Sequence, residues 1–367
     1  MPSQLLHVLF GEDVYAEINR RVESRFGSSA WGRSLATHGK AFALGCQGPD
    51  IFYHSQGRRP VGLEYGTLLH RRGMGTFTGE LCRMSGTDAL RAYALGFMTH
   101  AILDRYAHPY IVYKADSWRG LQTSRVCNPS PIPYENNVSS CSAAGHVEVK
   151  GVEGAHAFFE RIIDVLMLKL LRGAEISSWD QEGLLAEPCE NPPLGLRELL
   201  AEALIAAFPE RAGKDEKLPL RIENAFLDSA GFYRMTAPAR STGARAESRD
   251  FPLRKRHLVY LYPEELPDGI DFLNMEKRPW YWPSGKERED RRSFPEIYAG
   301  AVAAAADSLT NCIGDGNVIA DGNAIADGIG NGGLNITDEN GKPCAPCRTD
   351  PLPLEEVLEG QAKLRGL

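Results

Sequence analysis

The sequence predicts an all-α protein built as a multi-helix bundle, and three observations carry that prediction. Apolar residues recur at three- and four-residue spacing along most of the chain, segments of alternating polarity are few, and proline- and glycine-rich stretches separate the periodic runs. At 367 residues and 43% hydrophobic, the chain is long enough to bury one large core or two ordinary ones.

The first periodic run covers about 12–25 and the second 64–84. His7, in "LLHVLFG", and His70, in "GTLLHRRG", each follow paired leucines and so read as pointing inward. The third run, 88–107, opens with Thr87 and Asp88 as an N-cap. Leu90, Tyr93, Ala94, Phe97, Ala101 and Leu103 then follow at helical spacing, and Pro109 is expected to end the helix. Further helices are expected at 152–172, 195–208, 220–235 and 293–310. Residues 116–150, with "VCNPSPIPYENNVSSCSAAG", read as a long surface loop. Residues 237–292 read as irregular, and there Trp280, Tyr281 and Trp282 form either a packed loop or a pocket wall.

Between 311 and 349 the units "DGNVIA" and "DGNAIA" repeat without the acidic spacing of an EF-hand loop. That stretch is expected to be a flexible, low-complexity insertion. The amphipathic run "LEEVLEGQAKL" then gives a short helix within 350–367. The expected organisation is therefore a helical domain over 1–310, an insertion over 311–349 and a terminal helix.

A net charge of −7 leaves no basic footprint for a nucleic-acid backbone, which argues against duplex binding. No apolar stretch approaches the roughly 20 residues that cross a bilayer, and "MPSQLLHVLFGEDV" is not a basic leader, so a cytoplasmic protein is expected. Eight cysteines are scattered along the chain; only Cys344 and Cys347 form a close pair, which is assigned no function.

The segment "GFMTHAILDRYAHPYI" sets His100, Asp104 and His108 one helical turn apart, about 6 Å per step along one face. A buried histidine bonded to Asp104 would explain the first two alone. However, "HAFFERIID" repeats the pattern with His156 and Glu160, and Asp164 lies a further turn on. Facing helices that each present a histidine and an acid can build one metal centre. Asp50, after the Gly48-Pro49 turn, is placed so that its carboxylate could be aimed. His38, His54, His146 and His257 lie in polar surroundings and are read as surface or supporting groups.

Nitrogen and oxygen donors without cysteine suit zinc in a catalytic role better than manganese or iron, and eight candidates exceed what one tetrahedral ion takes up. Two to three zinc ions are expected. A zinc pair about 3.5–4 Å apart makes hydroxide at neutral pH and clamps both oxygens of an in-line displacement at phosphorus.

These residues resemble the zinc-dependent phospholipase C family, which is similar in fold to the single-strand-specific zinc nucleases. The resemblance rests on His7, "GPDI" at 48–51, "LLH" at 68–70, "GFMTHAILDRYAHPYI" at 96–111 and "HAFFERIID" at 156–164, spanning about 1–172 in the family's order. It implies a helical fold around the metals. His70, His100 and Asp104 would be ligands of one zinc and His108, His156 and Glu160 of a second. Asp104 would bridge toward a third ion held by His7, and Asp50 would be the general base or itself a ligand. The expected activity is phosphodiester hydrolysis of phospholipase C type by a metal-bound hydroxide, on a phospholipid or a soluble phosphodiester. The alternatives are a single-strand-specific zinc nuclease and a non-catalytic module whose metals only stabilise it.

Overall fold

Three- and four-residue spacing becomes helix along most of the described residues. The structure is a computed structural model that describes residues 4–26, 30–124, 152–241, 260–263, 265–266, 269–282, 288–312, 322–334 and 354–364. The amino-terminal half holds α1 (Gln4–Phe26), α2 (Ala30–Gly45), α3 (Asp50–Tyr53), α4 (Leu63–Arg71), α5 (Met74–Met84), α6 (Asp88–Ser124) and α7 (Val152–Arg172). After it come α8 (Glu187–Glu190), α9 (Leu196–Ala207), α10 (Leu218–Thr236) and α11 (Pro238–Ser241). The chain continues with α12 (Phe294–Cys312), α13 (Gly322–Ile329) and α14 (Leu354–Leu364). The described strands are a two-residue antiparallel pair, Trp280–Tyr281 with Glu289–Asp290. The all-α expectation holds.

The long helix α6 is the axis of the molecule. Helices α1, α2, α5, α7 and α12 all pack on it, while α9 and α13 pack on α5 and α13 also reaches α6. Their apolar stripes meet in one principal core that includes Phe10, Leu44, Leu68, Phe97, Tyr110 and Ile163. Among the described residues no helix is long and apolar enough to cross a membrane.

Several local expectations are corrected. Helix α1 begins well before residue 12, because Leu5, Leu6, Val8, Leu9 and Phe10 are all buried and a continuous apolar run shows no period. The 64–84 run is two helices, turned at Gly73, whose φ of 76° is a left-handed conformation that costs glycine little. Pro109 does not end α6, which continues to Ser124. A proline inside a helix costs about 3 kcal/mol, but Tyr110, Ile111, Val112 and Ala115 are buried beyond it, and each large apolar side chain contributes about 1.5–3 kcal/mol.

Part of the expected surface loop, 116–124, is thus helix, and the rest of that loop lies outside the described residues. So do His146, His257, Cys344 and Cys347. The stretch expected to be flexible contains α13, whose Ile325 and Ile329 are buried, and the neighbouring Leu334 is buried as well. Trp280 and Trp282 are buried, Trp280 donates its indole N–H to the Arg292 carbonyl at 3.1 Å, and Arg288 lies over Trp282. This aromatic stretch is a packed loop.

Candidate metal centre

Five helices deliver the eight sequence-selected residues to one buried region. His100, Asp104 and His108 line one stripe of α6; His156 and Glu160 lie one turn apart on α7; His7 comes from the start of α1, His70 from the last turn of α4, and Asp50 opens α3. Seven of the eight are buried, and only the His156 side chain, 13% exposed, reaches the protein surface.

Asp104 lies between the histidines. Its Oδ1 is 3.3 Å from His7 Nε2 and 3.8 Å from His108 Nε2, and its Oδ2 is 3.2 Å from His100 Nε2 and 3.7 Å from His70 Nε2. Asp50 Oδ1 is 3.1 Å from His70 Nε2. On the other side, Glu160 Oε1 is 2.7 Å from His156 Nε2 and 3.8 Å from His108 Nε2. Three groups have donor atoms mutually within 4.8 Å: His7, His100 and Asp104; Asp50, His70 and His100; His108, His156 and Glu160. Asp50 thus shares a group with His70 and His100, while His100 stands in two groups with only one nitrogen directed at them.

Backbone contacts set which ring nitrogen faces the centre. His100 Nδ1 donates to the Cys46 carbonyl at 3.0 Å and His70 Nδ1 to the Gly66 carbonyl at 2.7 Å. With Nδ1 protonated, each neutral ring turns a bare Nε2 lone pair inward. Gly48 holds the His100 ring in place, since at its φ of 52° a Cβ would stand 2.4 Å from His100 Cγ. The His7 and His100 rings stack with centroids 4.0 Å apart.

This arrangement fits a cation. Asp50 Oδ1, His70 Nε2, His100 Nε2, Asp104 Oδ2, His108 Nε2 and Glu160 Oε1 are buried yet make no hydrogen bond among the described residues. Lone pairs facing carboxylate oxygens at these distances repel unless positive charge lies between them, and buried polar atoms without partners demand such an explanation. The donors are imidazole nitrogen and carboxylate oxygen, the set that zinc takes. The buried Cys46 thiol bonds Thr99 instead, and burial pushes it up to about 12.

The electrostatics favour the protonation states that ligands need. Burial alone would raise the Asp104 carboxyl, but His108 and His100 outweigh it and hold Asp104 well below the usual range. Glu160 is likewise lowered, with His156 overcoming burial. Burial lowers His108 to about 4, and burial together with His100 lowers His7, which keeps both rings neutral. His100 alone moves upward, because Asp104 outweighs its burial.

Two sequence readings change. Asp164, the third polar position on α7, faces away from the cluster: it accepts the Leu6 N–H at 2.8 Å and the Tyr262 hydroxyl at 3.0 Å. His54, read as a surface or supporting group, is not at the surface: it is buried against Phe232 with ring centroids 3.8 Å apart, because the α3 turn faces α10 and not solvent. No sequence pattern singled out Arg105, which lies next to Asp104, or the Tyr53 ring, 4.6 Å from His70.

The sequence model of a family described as zinc dependent phospholipase C matches residues 6–192, just over half of the chain, and all eight residues fall within that match. No curated protein and no solved structure matches the chain.

Proposed function

Because the chain belongs to the zinc-dependent phospholipase C family, we propose that it is a zinc-dependent phosphoric diester hydrolase whose substrate is a phospholipid or a related phosphodiester. The observation that carries this reading is the ring of buried, hydrogen-bond-free donor atoms around Asp104.

In this reading His70, His100 and Asp104 would hold one ion, with Asp50 beside it as the general base, and His108, His156 and Glu160 would hold a second. His7 with Asp104 reaches toward a third. Zinc bound there would supply a Lewis acid for the phosphoryl oxygens and would lower the pKa of a water molecule enough to make it a nucleophile near neutral pH. The protein's part is to prepare those positions. The Cys46 and Gly66 carbonyls fix the His100 and His70 rings, and the neutral state of His108 and His7 leaves their nitrogens free to coordinate. Asp50, held ionised because His70 and His100 overcome its burial, accepts a proton from the attacking water as general base.

The nuclease alternative needs an aromatic platform for stacking bases, and the burial of Trp280 and Trp282 removes the candidate for one. The test of the proposed function combines zinc content by mass spectrometry with turnover of a chromogenic phosphodiester and of phosphatidylcholine vesicles. The expected result is two to three zinc ions per chain and turnover that a chelator abolishes and added zinc restores. Fully zinc-loaded protein that cleaves neither substrate would leave the non-catalytic reading.

A further inference from the structure

The family match ends at residue 192, yet the chain returns to the metal centre much later. Helix α13 packs on α5 backbone to backbone. A Cβ at Gly79 would stand 2.5 Å from the Gly322 carbonyl oxygen, and one at Gly75 would stand 2.4 Å from that of Ala326. The small residues that make 311–349 look like low complexity are therefore, over 322–330, a contact face. At the end of α13 and just past it, the carbonyls of Ile329, Gly330, Gly332 and Gly333 converge on one guanidinium, that of Arg105. Its Nη2 donates to Gly330 at 3.2 Å and Gly332 at 3.1 Å, its Nε to Gly333 at 3.2 Å, and its Nη1 to Ile329. Four residues after Gly330, the Leu334 N–H donates to the carbonyl of His70 at 2.8 Å.

Arg105 is buried, its hydrogen bonds go to these carbonyls, and the carboxylate that acts on its charge is the adjacent Asp104. Carbonyls at the C-terminal end of a helix carry the negative end of its dipole, so α13 offers this cation the partner that a carboxylate would otherwise supply. The two anchor points matter because of their neighbours. Arg105 adjoins Asp104, and the Leu334 bond falls on His70 itself. One segment thus ties the ligand-bearing stripe of α6 to the ligand-bearing end of α4.

We propose that Arg105 is a positioning residue of the metal centre, and that the segment 322–334 it grips is a clamp that sets how tightly zinc is held. This rests on the reading that His70, Asp104 and their neighbours bind zinc. None of the residues of the clamp is one of the candidate ligands. It acts by holding Asp104 and His70 at fixed separation, which is the role of supporting groups around metal ligands.

Two variants address the clamp from opposite sides without altering a ligand. Gly79→Ala pushes a methyl group toward the Gly322 carbonyl while favouring helix α5 itself, since alanine is the better helix former. Arg105→Lys keeps the charge, but a single ammonium cannot reach four carbonyls. Gly231→Ala on α10, where an added Cβ meets nothing within 4 Å, is the control. Each full-length protein, zinc-loaded, is followed by amide hydrogen exchange over 322–334 and by the rate of zinc transfer to a chromogenic chelator.

Both clamp variants are expected to exchange faster across 322–334 and to release zinc about tenfold faster or more, with unchanged helix content, while the control matches wild type. Faster exchange with wild-type zinc release would overturn the proposal, because the clamp would then be loosened without consequence for the metal. Wild-type exchange in Gly79→Ala would overturn it as well, by showing that the glycine contact does not hold the segment. A wild-type protein that takes up no zinc would sink the underlying metal reading and this inference together, and only that outcome reaches the former.

Discussion

Asp164 Oδ1 accepts the backbone N–H of Leu6 at 2.8 Å, which pins the first turn of α1 to α7 one residue before His7. The other carboxylate oxygen takes the Tyr262 hydroxyl at 3.0 Å, and Arg161 stands 3.6 Å away. A carboxylate at a helix N-terminus satisfies a free N–H and meets the positive end of the dipole. His7 is carried to Asp104 by this contact.

Asp164→Ala is therefore expected to destabilise the protein by about 3–5 kcal/mol, because it strands a buried arginine and a buried N–H. Asp164→Asn keeps an acceptor for Leu6 and is expected to lose only about 1–3 kcal/mol. Urea unfolding of the three proteins measures both, and equal stability across them would show that the contact carries no load.

Asp50→Asn separates two roles for one residue. As general base, the variant keeps its zinc and loses about 10²–10⁴-fold in turnover. As ligand, it loses zinc affinity first, and added zinc partly restores the rate. Zinc content and rate measured on the same preparation decide, and a variant normal in both removes Asp50 from the site.

His156→Ala or Glu160→Ala should cost one zinc ion and most of the activity with almost no change in circular dichroism. Alanine favours a helix at least as well as either residue, so α7 itself is not weakened. A variant with full metal and normal turnover would reduce this pair to a structural contact.

His54 makes the fold sensitive to acid. Burial lowers its pKa from 6.5 to about 3 in the folded protein. Below about 6.5 the unfolded chain takes up a proton that the folded chain refuses, so this stability is fully present above 6.5 and is lost as pH falls toward 3. The slope is at most about 1.4 kcal/mol per pH unit. His54→Phe, which retains the stack on Phe232, should flatten the acid limb of the metal-free protein's stability by up to one proton. Parallel wild-type and variant curves between pH 6 and 4 would contradict this.

The sequence by itself determined most of the helices and most of the candidate metal ligands, because both are local patterns. Spacing of four residues puts His100, Asp104 and His108 on one face of α6 and His156 and Glu160 on one face of α7, whatever the rest of the chain does. Where the pattern was silent, tertiary contacts decided. Burial of Tyr110 and Ile111 carried α6 past Pro109, and a uniformly apolar start concealed that His7 already lies in a helix. Asp164 shares the α7 spacing of Glu160 but continues around the helix to meet α1, a rotation that spacing alone does not reveal. Only the folded chain brings Asp50 beside His70, and only there do the glycines of 322–334 become a helix face and Arg105 its anchor. Those relations join residues far apart in sequence, and their energy comes from packing and from pairing buried charge, which no local window contains.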